Sequence, residues 1–92
     1  MIQETMSVVH VHRLPEEKDM EPGKIYIADE FQVAAHLCCC GCGERILMSI
    51  DPLGWKYTEE DGKPTFSPSI GNFGLPCKSH YFIRKGEVVW YR

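Results

Sequence analysis

Hydrophobic positions along this chain recur with period two. Ser7-Val8-Val9-His10-Val11-His12-Arg13-Leu14, Lys24-Ile25-Tyr26-Ile27-Ala28, residues 31–37 and Arg45-Ile46-Leu47-Met48-Ser49-Ile50 are rich in β-branched and bulky apolar side chains. Such runs predict strands. Trp55-Lys56-Tyr57-Thr58, His80-Tyr81-Phe82-Ile83-Arg84 and Glu87-Val88-Val89-Trp90-Tyr91 extend the pattern toward the C-terminus. No stretch carries the 3.6-residue repeat of an amphipathic helix.

The polar positions punctuate these runs. Residues 15–22 are charged and bounded by prolines, which predicts a loop or one weak helical turn. Pro22-Gly23, Asp51-Pro52-Leu53-Gly54 and Lys85-Gly86 are turn signals, and Asp61-Gly62 marks a hairpin. Pro64-Thr65-Phe66 is expected only as an edge strand, because proline donates no ladder hydrogen bond. Residues 67–76, with Pro68, Gly71, Gly74 and Pro76, are expected to form an ordered loop. The fold predicted is a small, β-rich, mainly antiparallel single domain spanning residues 1–92. Trp55, Tyr57, Phe66, Phe73, Phe82 and Trp90 are its expected large core side chains.

Length changes this picture by making it marginal. A chain of 92 residues buries only roughly 60–65% of its unfolded surface and benefits from a staple. The formal net charge of −3, with no Lys/Arg cluster, argues against a nucleic-acid-binding zinc ribbon. No apolar run approaches the ~20 residues of a membrane span. The N-terminal residues lack the apolar core of a secretory signal, so the expectation is a cytoplasmic protein with reduced thiols.

The staple is legible in the cysteines. All five lie in His36-Leu37-Cys38-Cys39-Cys40-Gly41-Cys42-Gly43 and in Cys77-Lys78-Ser79-His80. A structural zinc takes four N or S ligands, and glycines let the backbone curl around them. Cys40, Cys42, Cys77 and His80 form one such set, with Cys38 as the contender. On an extended strand His36, Cys38 and Cys40 share a face and Cys39 takes the other, so Cys39 is expected as a small buried hydrophobe. Three thiolates weaken zinc as a Lewis acid, which favours a structural role. His10 and His12 share a strand face and are expected to be solvated rather than to bind a second metal.

The combined pattern is specific. His36-Leu37-Cys38-Cys39-Cys40-Gly41-Cys42-Gly43, Trp55, Ser67-Pro68-Ser69-Ile70-Gly71-Asn72, Cys77-Lys78-Ser79-His80-Tyr81-Phe82-Ile83 and Gly86-Glu87-Val88-Val89-Trp90 resemble a small bacterial and phage family long labelled a domain of unknown function. Some of its members sit in operons with ubiquitin-like proteins and their conjugating enzymes. The resemblance covers about residues 22–91. It departs at Cys39, where the family usually has proline. It implies a zinc-binding β-rich fold and a peptidase that processes or removes ubiquitin-like proteins.

A peptidase reading leaves three arrangements open. Ser69 is the nucleophile with His36 as its base. Alternatively Cys38 attacks and His36 lowers its pKa. In the third, zinc activates water with Glu44 as base. The competing function is a non-catalytic zinc module that binds a partner protein.

Overall fold

A computed structural model of the chain describes residues 3–51, 53–72 and 74–91. Pro52, in one expected turn, and Phe73, an expected core aromatic, lie outside the described residues. Among the described residues, eight strands form two four-stranded sheets. The first sheet holds β1 (Ser7–His10), β2 (Lys24–Ala28), β3 (Val33–Leu37) and β4 (Arg45–Ser49) in that order. The second is a meander of β5 (Lys56–Glu60), β6 (Lys63–Gly71), β7 (His80–Arg84) and β8 (Glu87–Trp90). Among the described residues, β1 and β2 alone pair in parallel; the other strand pairs are antiparallel. The mainly antiparallel β-rich fold expected from period-two patterning is the fold observed.

The core lies between the sheets. Ile25, Ile27, Ala34, Ile46 and Met48 meet Phe66, Ile70, Tyr81 and Ile83 there. Trp55, Tyr57 and Trp90 pack half-buried against this cluster. Phe82 does not join it: Tyr81 and Ile83 take the inward positions of β7, so strand alternation turns Phe82 outward. A smaller cluster of Met20, Tyr26 and Ala35 covers the other face of the first sheet.

Residues 3–6 strap the sheets together. Gln3 N donates to Cys39 O at 2.7 Å, Met6 N to Gly86 O at 2.7 Å, and Val88 N to Glu4 O at 2.9 Å. His10, at the end of β1, adds a second tie. Its Nδ1 lies 2.7 Å from Asp29 Oδ2 and its Nε2 2.6 Å from Glu59 Oε1. Both acidic neighbours, Asp29 first, raise the His10 pKa above its ordinary value.

The predicted first strand stops early. His12 lies beyond β1, exposed and 3.5 Å from Glu30. Phe31 sits in a 3-10 turn (Asp29–Phe31) rather than in β3. The larger difference is β6. Sequence reading makes Pro64 an edge residue and residues 67–76 a loop, yet β6 runs to Gly71 between two neighbours. Pro64 is tolerated because its carbonyl, which accepts from Gly86 N at 2.8 Å, faces the Lys85-Gly86 turn. Its missing N–H faces the same way, past the end of β7, and interrupts no ladder bond. Pro68 and Ser69 are absorbed in a bulge. Phe66 pairs with Ile83 and Ile70 with Tyr81, so four residue steps on β6 oppose two on β7.

Candidate functional site

The cysteine segment leaves β3 at Leu37 and turns at once. Cys38 N donates to Glu44 O at 2.8 Å and Gly41 N to Cys38 O at 3.1 Å. Gly41 and Gly43 adopt φ of +90° and +85°, which glycine reaches without a Cβ penalty. The second segment is folded by Asn72. Leu75 N donates to Asn72 O at 3.1 Å, Lys78 N to Leu75 O at 3.1 Å, and Asn72 N to Ser79 O at 2.8 Å. These turns bring Cys77 beside the first loop.

Four sulfurs meet there. The Sγ atoms of Cys38, Cys40, Cys42 and Cys77 all lie within 4.8 Å of one another. Cys38–Cys77 and Cys42–Cys77 are 3.8 Å apart and Cys38–Cys40 3.4 Å. A tetrahedral zinc with Zn–S bonds of about 2.3 Å places its sulfurs roughly 3.8 Å apart. The spacing therefore suits one metal ion and is far from the ~2.05 Å of a disulfide. Ser79 Oγ lies 3.1 Å from Cys38 Sγ and 3.5 Å from Cys77 Sγ. Asn72 Nδ2 donates to Ser79 Oγ at 2.9 Å and to Cys38 Sγ at 3.6 Å. Hydrogen bonds from the Ser79 hydroxyl and backbone hold the Cys77 thiol down at about 6. Burial, with the neighbouring sulfurs, pushes Cys40 up to about 12. Burial also raises Cys42. Thiols so crowded ionise together only when a cation binds them.

His80 is not part of this cluster. It opens β7 opposite Gly71 of β6, and its Nε2 is 2.6 Å from Ser69 Oγ. Cys77-Lys78-Ser79-His80 looks in sequence like a ligand pair at i and i+3. Cys77 belongs to the turn, however, while His80 belongs to the strand, so the two side chains diverge. His80, Phe82 and Arg84 share the outer face of β7, which alternation along that strand shows. The bulge turns Ser69 toward the same face. The Tyr91 ring packs on the His80 imidazole, with centroids 4.4 Å apart.

His36, the base expected for Ser69, lies elsewhere. It is fully buried on β3, and its Nε2 is 2.7 Å from the Tyr81 hydroxyl. Burial lowers its pKa to about 4, too weak a base for a serine. Its Nδ1 is buried with no hydrogen-bond partner among the described residues. The Tyr81 hydroxyl also accepts from Cys39 N at 3.5 Å, so His36 and Tyr81 tie β7 to the start of the cysteine loop. Cys39 is buried against Met6 Sδ at 3.7 Å, its thiol pushed up to about 12 by burial. Cys38 faces the sulfur cluster rather than His36, and Glu44 is exposed. Sequence reasoning missed Asn72, whose position in Gly71-Asn72 resembles an ordinary turn residue.

Fold and site together define a small two-sheet β protein that places a serine–histidine pair near four clustered thiols able to hold a metal ion. Residues 10–91 match the family described as "Bacterial ubiquitination-like system serine protease (BubE)". The chain belongs to that family, whose description supports a peptidase role in a ubiquitination-like pathway. Comparison with curated proteins and with solved structures gives no match. Among the described residues, no helix is long and apolar enough to cross a membrane.

Proposed function

We propose that this chain is a serine peptidase that processes or removes a ubiquitin-like protein, with Ser69 as nucleophile and His80 as general base. The observation that carries this reading is the 2.6 Å contact between Ser69 Oγ and His80 Nε2 on the outer face of the second sheet. Ser69 Oγ attacks the carbonyl carbon of the scissile bond, and its proton passes to His80 Nε2. His80 then gives that proton to the departing amine as the C–N bond breaks, leaving the substrate esterified to Ser69. Water attacks this ester, its proton going to His80. The carboxylate-bearing product leaves, and Ser69 recovers its proton from His80.

Cys38, Cys40, Cys42 and Cys77 would hold zinc. Four protein ligands leave no position for substrate or water, so the ion supplies structure rather than Lewis acidity. Reduced thiols suit a cytoplasmic protein. Tyr91 and the register of β6 on β7 hold the imidazole against Ser69, and Ser79 with Asn72 fixes the loop between metal and base.

The test uses a ubiquitin-like protein from a bacterial ubiquitination-like system, fused at its C-terminus to a fluorescent protein. The intact zinc-loaded chain should cleave the junction. Ser69→Ala and His80→Ala should each lower kcat about 10³-fold or more. A Ser69→Ala variant that retains over a tenth of the activity would exclude Ser69 as nucleophile. Intact substrate at high enzyme concentration would favour a partner-binding module instead.

A further inference from the structure

The outer face of the second sheet is unusually apolar next to the serine–histidine pair. A sheet face turned to water ordinarily alternates to polar side chains. Here Phe82 pairs across the strands with Val89, and Tyr91 stands 60% exposed beside them. A groove of about 560 Å³ runs over this face, lined by Pro68, Phe82 and Val89, with Arg84, Lys85 and Glu87 at its far end. Pro68 directly precedes Ser69, so the groove reaches to within one residue of the nucleophile. Arg84 Cζ lies 4.5 Å from the centroid of the Phe82 ring, and the Phe82 ring stacks toward His80 at 26°. His80, Phe82 and Arg84 thus form a file along β7. At about 3.3 Å per residue, Phe82 is roughly 7 Å and Arg84 roughly 13 Å from His80 along the strand.

We propose that this groove holds the C-terminal tail of the ubiquitin-like substrate in extended form, with Phe82 and Arg84 as its specificity-determining residues. The inference rests on the peptidase reading above. Processing and removal share one constant partner, the ubiquitin-like chain on the acyl side of the scissile bond, whereas the leaving side changes with each conjugate. The groove therefore takes the acyl side. An extended tail shows alternate side chains to the sheet. The second residue before the scissile bond meets Phe82, Pro68 and Val89 and is apolar. The fourth meets Arg84 and Lys85, which outweigh Glu87, and is acidic.

The probe is the same fluorescent fusion with aspartate, alanine or lysine placed four residues before the junction. The native chain should cleave the aspartate tail with kcat/KM about tenfold above the lysine tail, the scale of one rim charge pair. Arg84→Glu should reverse that order, and Arg84→Gln should bring the three tails within about twofold of one another. The reversal itself reports a folded enzyme. Equal cleavage of the three tails by the native chain, or an order unchanged in Arg84→Glu, overturns the groove assignment while leaving the peptidase reading intact. A preference for the lysine tail in the native chain would assign the far end of the groove to Glu87 and likewise overturn it. Failure to cleave any tail overturns the peptidase reading and the groove with it.

Discussion

Ser69 and His80 are eleven positions apart and become neighbours through a single strand pairing. The residue beneath them is Tyr81, fully buried and bonded to His36. Burial drives its phenol far above the ordinary tyrosine range, so it stays a hydroxyl. Tyr81→Phe removes only that oxygen and leaves His36 Nε2 buried without a partner. The expected cost is about 1–3 kcal/mol in a denaturant titration. His10 offers a different test. Its pKa is raised by Asp29 and Glu59, so the stabilisation is fully present below the unfolded value near 6.5. It is lost as pH rises through the higher folded value. Because the site is largely open to solvent, the effect stays under about 1 kcal/mol. Urea unfolding of the native chain and His10→Ala should differ at pH 6 and converge by pH 9.

Among the elements, the hairpins were legible and the bulge was not. Asp61-Gly62 and Lys85-Gly86 place two successive residues at positive φ, 53° and 77° in the first, 48° and 79° in the second, as tight hairpin turns require. Their surroundings differ. A Cβ on Gly86 would approach Met6 O to 3.1 Å, whereas one on Gly62 meets nothing within 4 Å. Gly62→Ala should cost about 1 kcal/mol from backbone strain. Gly86→Ala should cost more, about 2 kcal/mol, since the N-terminal strap must also shift. Thermal melts of the two variants would rank them. Residues 67–71 defeated the sequence reading because proline and glycine normally end strands, and only tertiary pairing shows that β6 continues past Pro68 to Gly71. His36 was expected beside Ser69 because it stands next to the cysteines in sequence, and its burial on β3 separates the two. β3 ends at Leu37, so Cys38 and Cys40 meet, with Cys39 apart, through the turn rather than through strand alternation. Alternation did hold along β7, where His80, Phe82 and Arg84 fall on one face and Tyr81 and Ile83 on the other. That signal could have separated His80 from the sulfur ligands.

For the whole molecule, the sulfur cluster joins two distant segments of a chain with a small core. The cluster closes the loop between Cys42 and Cys77 and lies only a few residues from His80. Removal of the ion with a strong chelator should lower the melting temperature by well over ten degrees or abolish the transition, because binding energy at such sites is folding energy. Cys77→Ser should reproduce that loss with metal present. Elemental analysis should give about one zinc per folded chain. A chain that melts identically with and without chelator would separate the cluster from stability. The cluster was legible because five cysteines in two patches are rare, but its fourth member was not. The choice between Cys38 and His80 depended on where the turn began.

The N-terminal strap gives a practical meaning to the boundary of the family match. The match begins at residue 10, yet residues 3–6 supply backbone bonds to Cys39, Gly86 and Val88. A recombinant fragment trimmed to the recognisable stretch would lose most of β1 as well as the strap, leaving β2 and the rim of β8 bare, with unpaired amides inviting a second chain. Such a fragment should precipitate or oligomerise where the intact chain stays dispersed, which size-exclusion chromatography would reveal. What can be recognised in this protein is thus shorter than what can be purified.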